Sequence, residues 1–214
     1  MRARREQPWL IRLTHWLNVP VLAIMAGSGL QILAACPQMG PRGELYRWYP
    51  LQGFTAPEWL QVGGWLAGGR AFHFAFAWLL VVNGAIYLSY LFVSGEWRRR
   101  YFSPKRDFKN AVQTAAHYLR LRKEAPPQEL YNGLQRLAYS SVPLFGLVAV
   151  LSGLAIYKPV QLWWLTVPFG GYDGARVVHF ATLAVLVLFT VGHVLMVLLH
   201  PRTIPTIITG GKRE

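Results

Sequence analysis

The chain has 214 residues, of which 53% are hydrophobic and only 14% charged, and its formal net charge is +13. That balance excludes a water-soluble globule and points to a membrane protein. The positive charge is gathered at particular connections, with no basic stripe carrying interleaved aromatics outside the apolar runs, which excludes a nucleic-acid partner as well.

Apolar runs at 13–36, 71–93, 137–157 and 177–200 are each near the ~20 residues that cross a bilayer as helix. No short alternating segments of barrel type are visible. Backbone groups in lipid must satisfy one another within the segment, so the expectation is an all-α integral membrane four-helix bundle. It forms a single domain over 1–214, without a separate soluble domain.

The first span is preceded by Arg2, Arg4, Arg5 and Arg12, and it begins with the amphipathic R-L-T-H-W-L-N-V-P. Pro20, inside this span, is expected to bend it. The L-A-A-C at 33–36 resembles a lipoprotein cleavage box. The run before it is longer than the usual ~7–15-residue signal core and contains His15 and Trp16, so it reads as a retained span. Cys36 is the single cysteine. With it there is no intrachain disulfide, no four-cysteine iron–sulfur site and no C-x-x-C-H attachment, so any haem must be held non-covalently.

The connection 37–70 is rich in Gly, Pro and aromatics, including Tyr46, Trp48, Tyr49, Phe54, Trp59 and Trp65. This composition suits a membrane–water interface, and equally a platform for an extracytoplasmic partner. The second span ends in G-E-W-R-R-R-Y-F, and 108–127 reads as a short amphipathic helix on the inner surface, closed by Pro126 and Pro127. The third span holds Pro143, Gly146 and Gly153 but no histidine, and Pro201 and Pro205 follow the fourth. Basic residues are dense in 96–136, whereas 37–70 and 158–176 together hold five. By the positive-inside rule both termini and the 96–136 connection are cytoplasmic.

The fourth span carries His179 and His193, fourteen residues apart. Fourteen helical residues rise about 21 Å and bring the two side chains close to one face. They face one interior near opposite leaflets, too far apart to share a metal. The first span enters from the cytoplasm and offers His15; the second enters from outside and offers His73. Depth matching therefore pairs His15 with His193 on the inner side and His73 with His179 on the outer side. Each pair supplies two ligands with no carboxylate or thiolate beside it. Zinc wants about four ligands, whereas haem iron needs only two from the protein, so the reading is two haem b groups. With both axial positions filled by histidine, electron transfer is favoured over oxygen activation.

Arginine stands three residues before a histidine at Arg12, Arg70 and Arg176. Each lies one turn nearer the membrane surface than its histidine, where haem propionates would point. Snorkelling at a span end is the other explanation. Gly27, Gly29 and Gly192 either make room for a flat macrocycle or serve helix packing. His117 and His200 read as ordinary interfacial residues.

The segments R-L-T-H-W, G-G-R-A-F-H-F-A-F-A-W-L-L-V-V-N-G and F-G-G-Y-D-G-A-R-V-V-H-F, with the paired histidines of the last span, resemble the bacterial cytochrome b561/Ni-hydrogenase b-type cytochrome superfamily. The stretches S-G-L-A-I-Y-K-P-V-Q and G-G-Y-D-G-A-R are most similar to the branch called thiosulfate reductase cytochrome b subunit. The likeness covers nearly the whole chain. It implies a bacterial inner-membrane di-haem subunit, with His15/His193 and His73/His179 as ligands, that connects membrane quinone with an extracytoplasmic redox protein, often a molybdopterin oxidoreductase. Quinone is then expected on the inner side, near Asn18 and the basic connection. Two rival readings stand beside this one: a stand-alone quinol-linked oxidoreductase acting on a small oxidant, and a haem-free membrane scaffold or transporter.

Overall fold

The computed structural model describes residues 6–41, 44–127, 130–199, 201 and 204–211. Arg2, Arg4, Arg5 and His200 lie outside the described residues. Those described are helical or irregular, with no strand among them. Four helices are long and apolar enough to cross a membrane: α1 (Trp9–Ala35), α2 (Leu66–Ser94), α5 (Gly133–Tyr157) and α7 (Gly171–Leu199). Shorter helices stand between and after them: α3 (Trp97–Arg100), α4 (Pro104–Tyr118), α6 (Trp163–Thr166) and α8 (Ile204–Thr209).

The long helices start four to six residues before the apolar runs that announce them. The first turns of α2, α5 and α7 carry glycine or polar residues that an apolar count passes over, and that of α1 ends in Arg12. The Arg12 amide bonds the Pro8 carbonyl, winding α1 from ahead of its basic residue. Helix α2 follows Gly63 and Gly64, both at positive φ, and a Cβ on Gly63 would meet the Gly69 nitrogen at 2.3 Å. Only glycine fits that entry. Pro20 sits inside α1, which is helical throughout.

Helix α4 begins ahead of the expected 108, because Ser103 and Pro104 occupy the N-cap and first helical positions. It ends at Tyr118, and Arg120 takes a left-handed conformation with φ 59, which stops the helix well before the prolines.

Burial is inverted relative to a soluble protein. Among the most enclosed side chains are Ser28, Ser152, Asn83, Glu96, Arg100 and Asp107, while Trp78, Val93, Leu188 and Leu199 are broadly exposed. Apolar surface on this scale is matched by hydrocarbon and not by water, and enclosed polar groups join the helices.

The chain forms two compact units. One comprises Met1–Arg12, Ile86–Gly146 and Leu188–Glu214; the other comprises Leu13–Ala85 and Leu147–Val187. The first is tied by two ionic clusters. Arg100 bonds Glu96 (2.8 Å), Gln7 (3.0 Å), Tyr131 (3.1 Å) and the Glu6 carbonyl (2.6 Å), with Glu96 fully buried. Asp107 accepts from Arg106, Arg136 and the Ser103 amide, each at 2.8 Å. In the second unit, Asn83 of α2 donates to the Thr14 carbonyl (2.9 Å) and to Asn18 (2.8 Å), pinning α2 to α1.

Candidate functional site

Within the second unit, α2 and α7 each present one histidine toward the other. The His73 and His179 ring centres are 6.1 Å apart, with their planes at 70°. Both rings are held at Nδ1, by the Ser28 hydroxyl of α1 at 3.1 Å and by the Ser152 hydroxyl of α5 at 3.0 Å. Each serine already donates its one proton to the carbonyl a turn earlier, Ile24 or Val148, at 2.6 Å. Its oxygen is therefore the acceptor for the imidazole. The Met25 and Ala149 carbonyls lie 3.2 Å from the same two hydroxyls and, like any carbonyl, can only accept, so they too draw the serine proton away from the ring. The proton consequently sits on Nδ1 in both histidines, leaving Nε2 as the basic nitrogen.

Two neutral imidazoles with Nε2 available are a ligand pair, and their spacing tests what they can hold. A metal bound at about 2.0 Å by a nitrogen on each side separates the two ring centres by about 6 Å, which is the separation observed. Among the described residues no group of three or more His, Cys, Asp or Glu could complete a protein-only metal site. The pair thus fits an ion whose other ligands come from a macrocycle.

Glycines border both rings. A Cβ on Gly29 would stand 3.4 Å from His73 Cε1, and one on Gly153 would stand 3.1 Å from His179 Cε1. Of the glycines singled out by sequence, Gly29 therefore lies at a histidine ring. Gly27 instead meets Val62 and the Leu60 carbonyl, and Gly192 has open space around its Cα.

The other two candidate ligands fall in different units. His15, in the second unit, lies edge-on to Trp16 with ring centres 5.5 Å apart. In the first unit His193 stacks on Phe189 (5.9 Å, 10°) and meets the edge of Tyr139 at 6.3 Å.

The three arginines differ in their engagement. Arg176 donates to the Cys36 carbonyl (2.6 Å) and reaches Asp173 at 3.4 Å. Arg12 donates to the Ile208 carbonyl. Arg70 is exposed and lies over the Phe74 ring at 5.9 Å.

The family model for prokaryotic cytochrome b561 matches residues 6–210. The chain belongs to the prokaryotic cytochrome b561 family. It is an integral membrane protein of the bacterial inner membrane, a b-type cytochrome that binds haem and transfers electrons. A relative from Azospira oryzae, provisionally named protein-methionine-sulfoxide reductase subunit YedZ1, is 38% identical over 203 residues, covering 95% of this cytochrome and 94% of the relative.

Sequence reading missed Ser28, Ser152 and Gly153. Their signal was a repeated pattern: S-G-L-x-I recurs at 28–32 and 152–156, and R-x-x-H-F at 70–74 and 176–180. Each helix pair, α1 with α2 and α5 with α7, carries one copy of both patterns. The two copies lie far apart in the chain, so a search for short tandem repeats passes over them.

Proposed function

We propose that this cytochrome b561 carries two haem b groups, one between His73 and His179 and one between His15 and His193, and passes electrons between membrane quinone and an extracytoplasmic oxidoreductase. The observation that carries the reading is the facing pair His73/His179, with both Nδ1 atoms engaged and the ring centres 6.1 Å apart. The second pair rests on the fourteen-residue spacing in α7 and on matched depth.

When bound, haem supplies a one-electron ferric/ferrous couple. His73 and His179, and His15 and His193, would hold the two groups, each histidine supplying one nitrogen to the iron. Arg12, Arg70 and Arg176 are assigned to the propionate side. The topology proposed is both termini and the basic connection on the cytoplasmic side, consistent with their membership of one unit.

The partner is proposed to be a soluble oxidoreductase at the outer face, of the molybdopterin class implied by the resemblance. The relative's name points to reduction of methionine sulfoxide in proteins as the reaction served, and the word subunit in it favours a partnered cytochrome over a stand-alone enzyme.

Haem stoichiometry by pyridine haemochrome on the purified chain tests the central claim. Two haems b per chain are expected in the wild type and about one in His73→Ala, with the reduced-minus-oxidised spectrum of the other retained. Loss of neither haem in that variant would refute the assignment. Added quinol should reduce the cytochrome in isolated membranes, and failure to do so would remove quinone from the scheme.

A further inference from the structure

We propose that the two Ser-Gly pairs, Ser28-Gly29 and Ser152-Gly153, are matched seats that orient His73 and His179 toward one iron, and that the serine hydroxyls set the reduction potential of that iron. The inference rests on the haem reading above and adds positioning residues to it.

Each seat is built the same way. A serine on one helix of a pair turns its hydroxyl to the Nδ1 of the histidine on the other, at 3.1 Å in one pair and 3.0 Å in the other. The glycine that follows lies against the same ring at Cε1, leaving a surface on which the imidazole can lie. Both hydroxyls are fully buried and each is locked by its bond to the carbonyl a turn earlier, so neither oxygen can turn away from the ring. A methyl group at Gly153 would press on the His179 ring at 3.1 Å, and one at Gly29 would reach van der Waals contact with the His73 ring at 3.4 Å.

A buried acceptor on Nδ1–H raises the electron-donating power of Nε2 and holds the ring in one orientation. A better donor favours the ferric state. The acceptor here is a neutral hydroxyl rather than a carboxylate, which keeps the effect moderate. Removing the hydroxyl leaves the Nδ1–H with less acceptor strength, weakens Nε2 as a donor and favours the ferrous state. Because the two rings face one another, Ser28 and Ser152 must act on the same metal, although they lie on different helices.

The test is a redox titration of the purified holoprotein, followed in the haem absorption bands and in the low-spin electron paramagnetic resonance signals, for wild type, Ser28→Ala, Ser152→Ala and the hydroxyl-keeping Ser28→Thr and Ser152→Thr. Both alanine variants should move one and the same haem to higher potential, by a two- to tenfold change in its ferric/ferrous equilibrium; tenfold corresponds to about 59 mV for one electron. The other haem should stay in place, and the threonine variants should lie close to wild type.

Where an alanine variant loses that haem altogether and its threonine variant keeps it, the hydroxyl is again shown to be required. Unchanged potentials, shifts in two different haems, or equal loss in alanine and threonine variants would each overturn the proposal while leaving a di-haem wild type standing. A wild type without haem would overturn the underlying reading as well.

Discussion

The separation between a ring-bearing seat and a merely small residue can be read at single glycines. A methyl group on Gly153 would approach His179 Cε1 to 3.1 Å, whereas one on Gly146, in the same helix, meets nothing within 4 Å. Gly153→Ala should therefore push the imidazole out of line and weaken haem retention, on the order of tenfold. Gly146→Ala should leave retention unchanged and gain helix propensity. Haem transfer to apomyoglobin, timed for each variant, measures this; equal rates would mean that Gly153 does not seat the ring. His73 and His179 could be singled out in the sequence because a polar side chain inside an apolar run is costly, and the structure brings their two rings together. Ser28 and Ser152 could not be. A serine within a span bonds its own helix backbone in any context, so its second bond, to a residue on another helix, leaves no local trace.

Helix boundaries and helix anchors follow different rules from helix existence. The four long elements were legible because hydrocarbon demands about twenty apolar residues in a row, while the glycines in the first turns of α2, α5 and α7 and the Arg12 that closes the first turn of α1 obey no such demand, and those turns were missed. Helix α4 was legible as amphipathic. Its anchor was not, since a lone acid among arginines in sequence does not reveal that Asp107 is buried with Arg136 beneath a helix whose Phe108 and Val112 stay exposed. Burial alone would raise the pKa of Asp107, but hydrogen bonds from Arg106, the Ser103 amide and Arg136 outweigh it and hold the carboxyl well below the usual carboxylate range. A depressed folded value means that the stabilisation is complete above the unfolded pKa near ~4 and fades as pH falls below it. Asp107→Asn should cost about 3 kcal/mol at neutral pH, because it leaves the buried Arg136 without its counter-charge. Thermal unfolding of the two proteins should converge as pH drops below ~4; a gap independent of pH would assign the loss to packing instead.

At the scale of the whole molecule, orientation decides on which side of the membrane a redox partner meets each histidine pair, and Cys36 offers a native reporter of it. It is the single cysteine of the chain, exposed just past the end of α1, with its carbonyl bonded by Arg176. The alternative in which Cys36 becomes the lipidated first residue of a cleaved chain would discard α1, and with it His15 and the Ser28 seat of His73. With α1 retained and the basic connection cytoplasmic, a membrane-impermeant maleimide should label Cys36 in intact spheroplasts. In a Cys36→Ser background, Lys109→Cys on the exposed side of α4 should react only after the membrane is opened. The reverse pattern would turn the molecule over, placing His73 and His179 on the cytoplasmic side and moving the proposed oxidoreductase away from the haem proposed for them. Failure of Cys36 to react from either side, together with a chain shortened by the 35 residues that precede it, would favour the lipoprotein reading and remove one histidine from the inner pair.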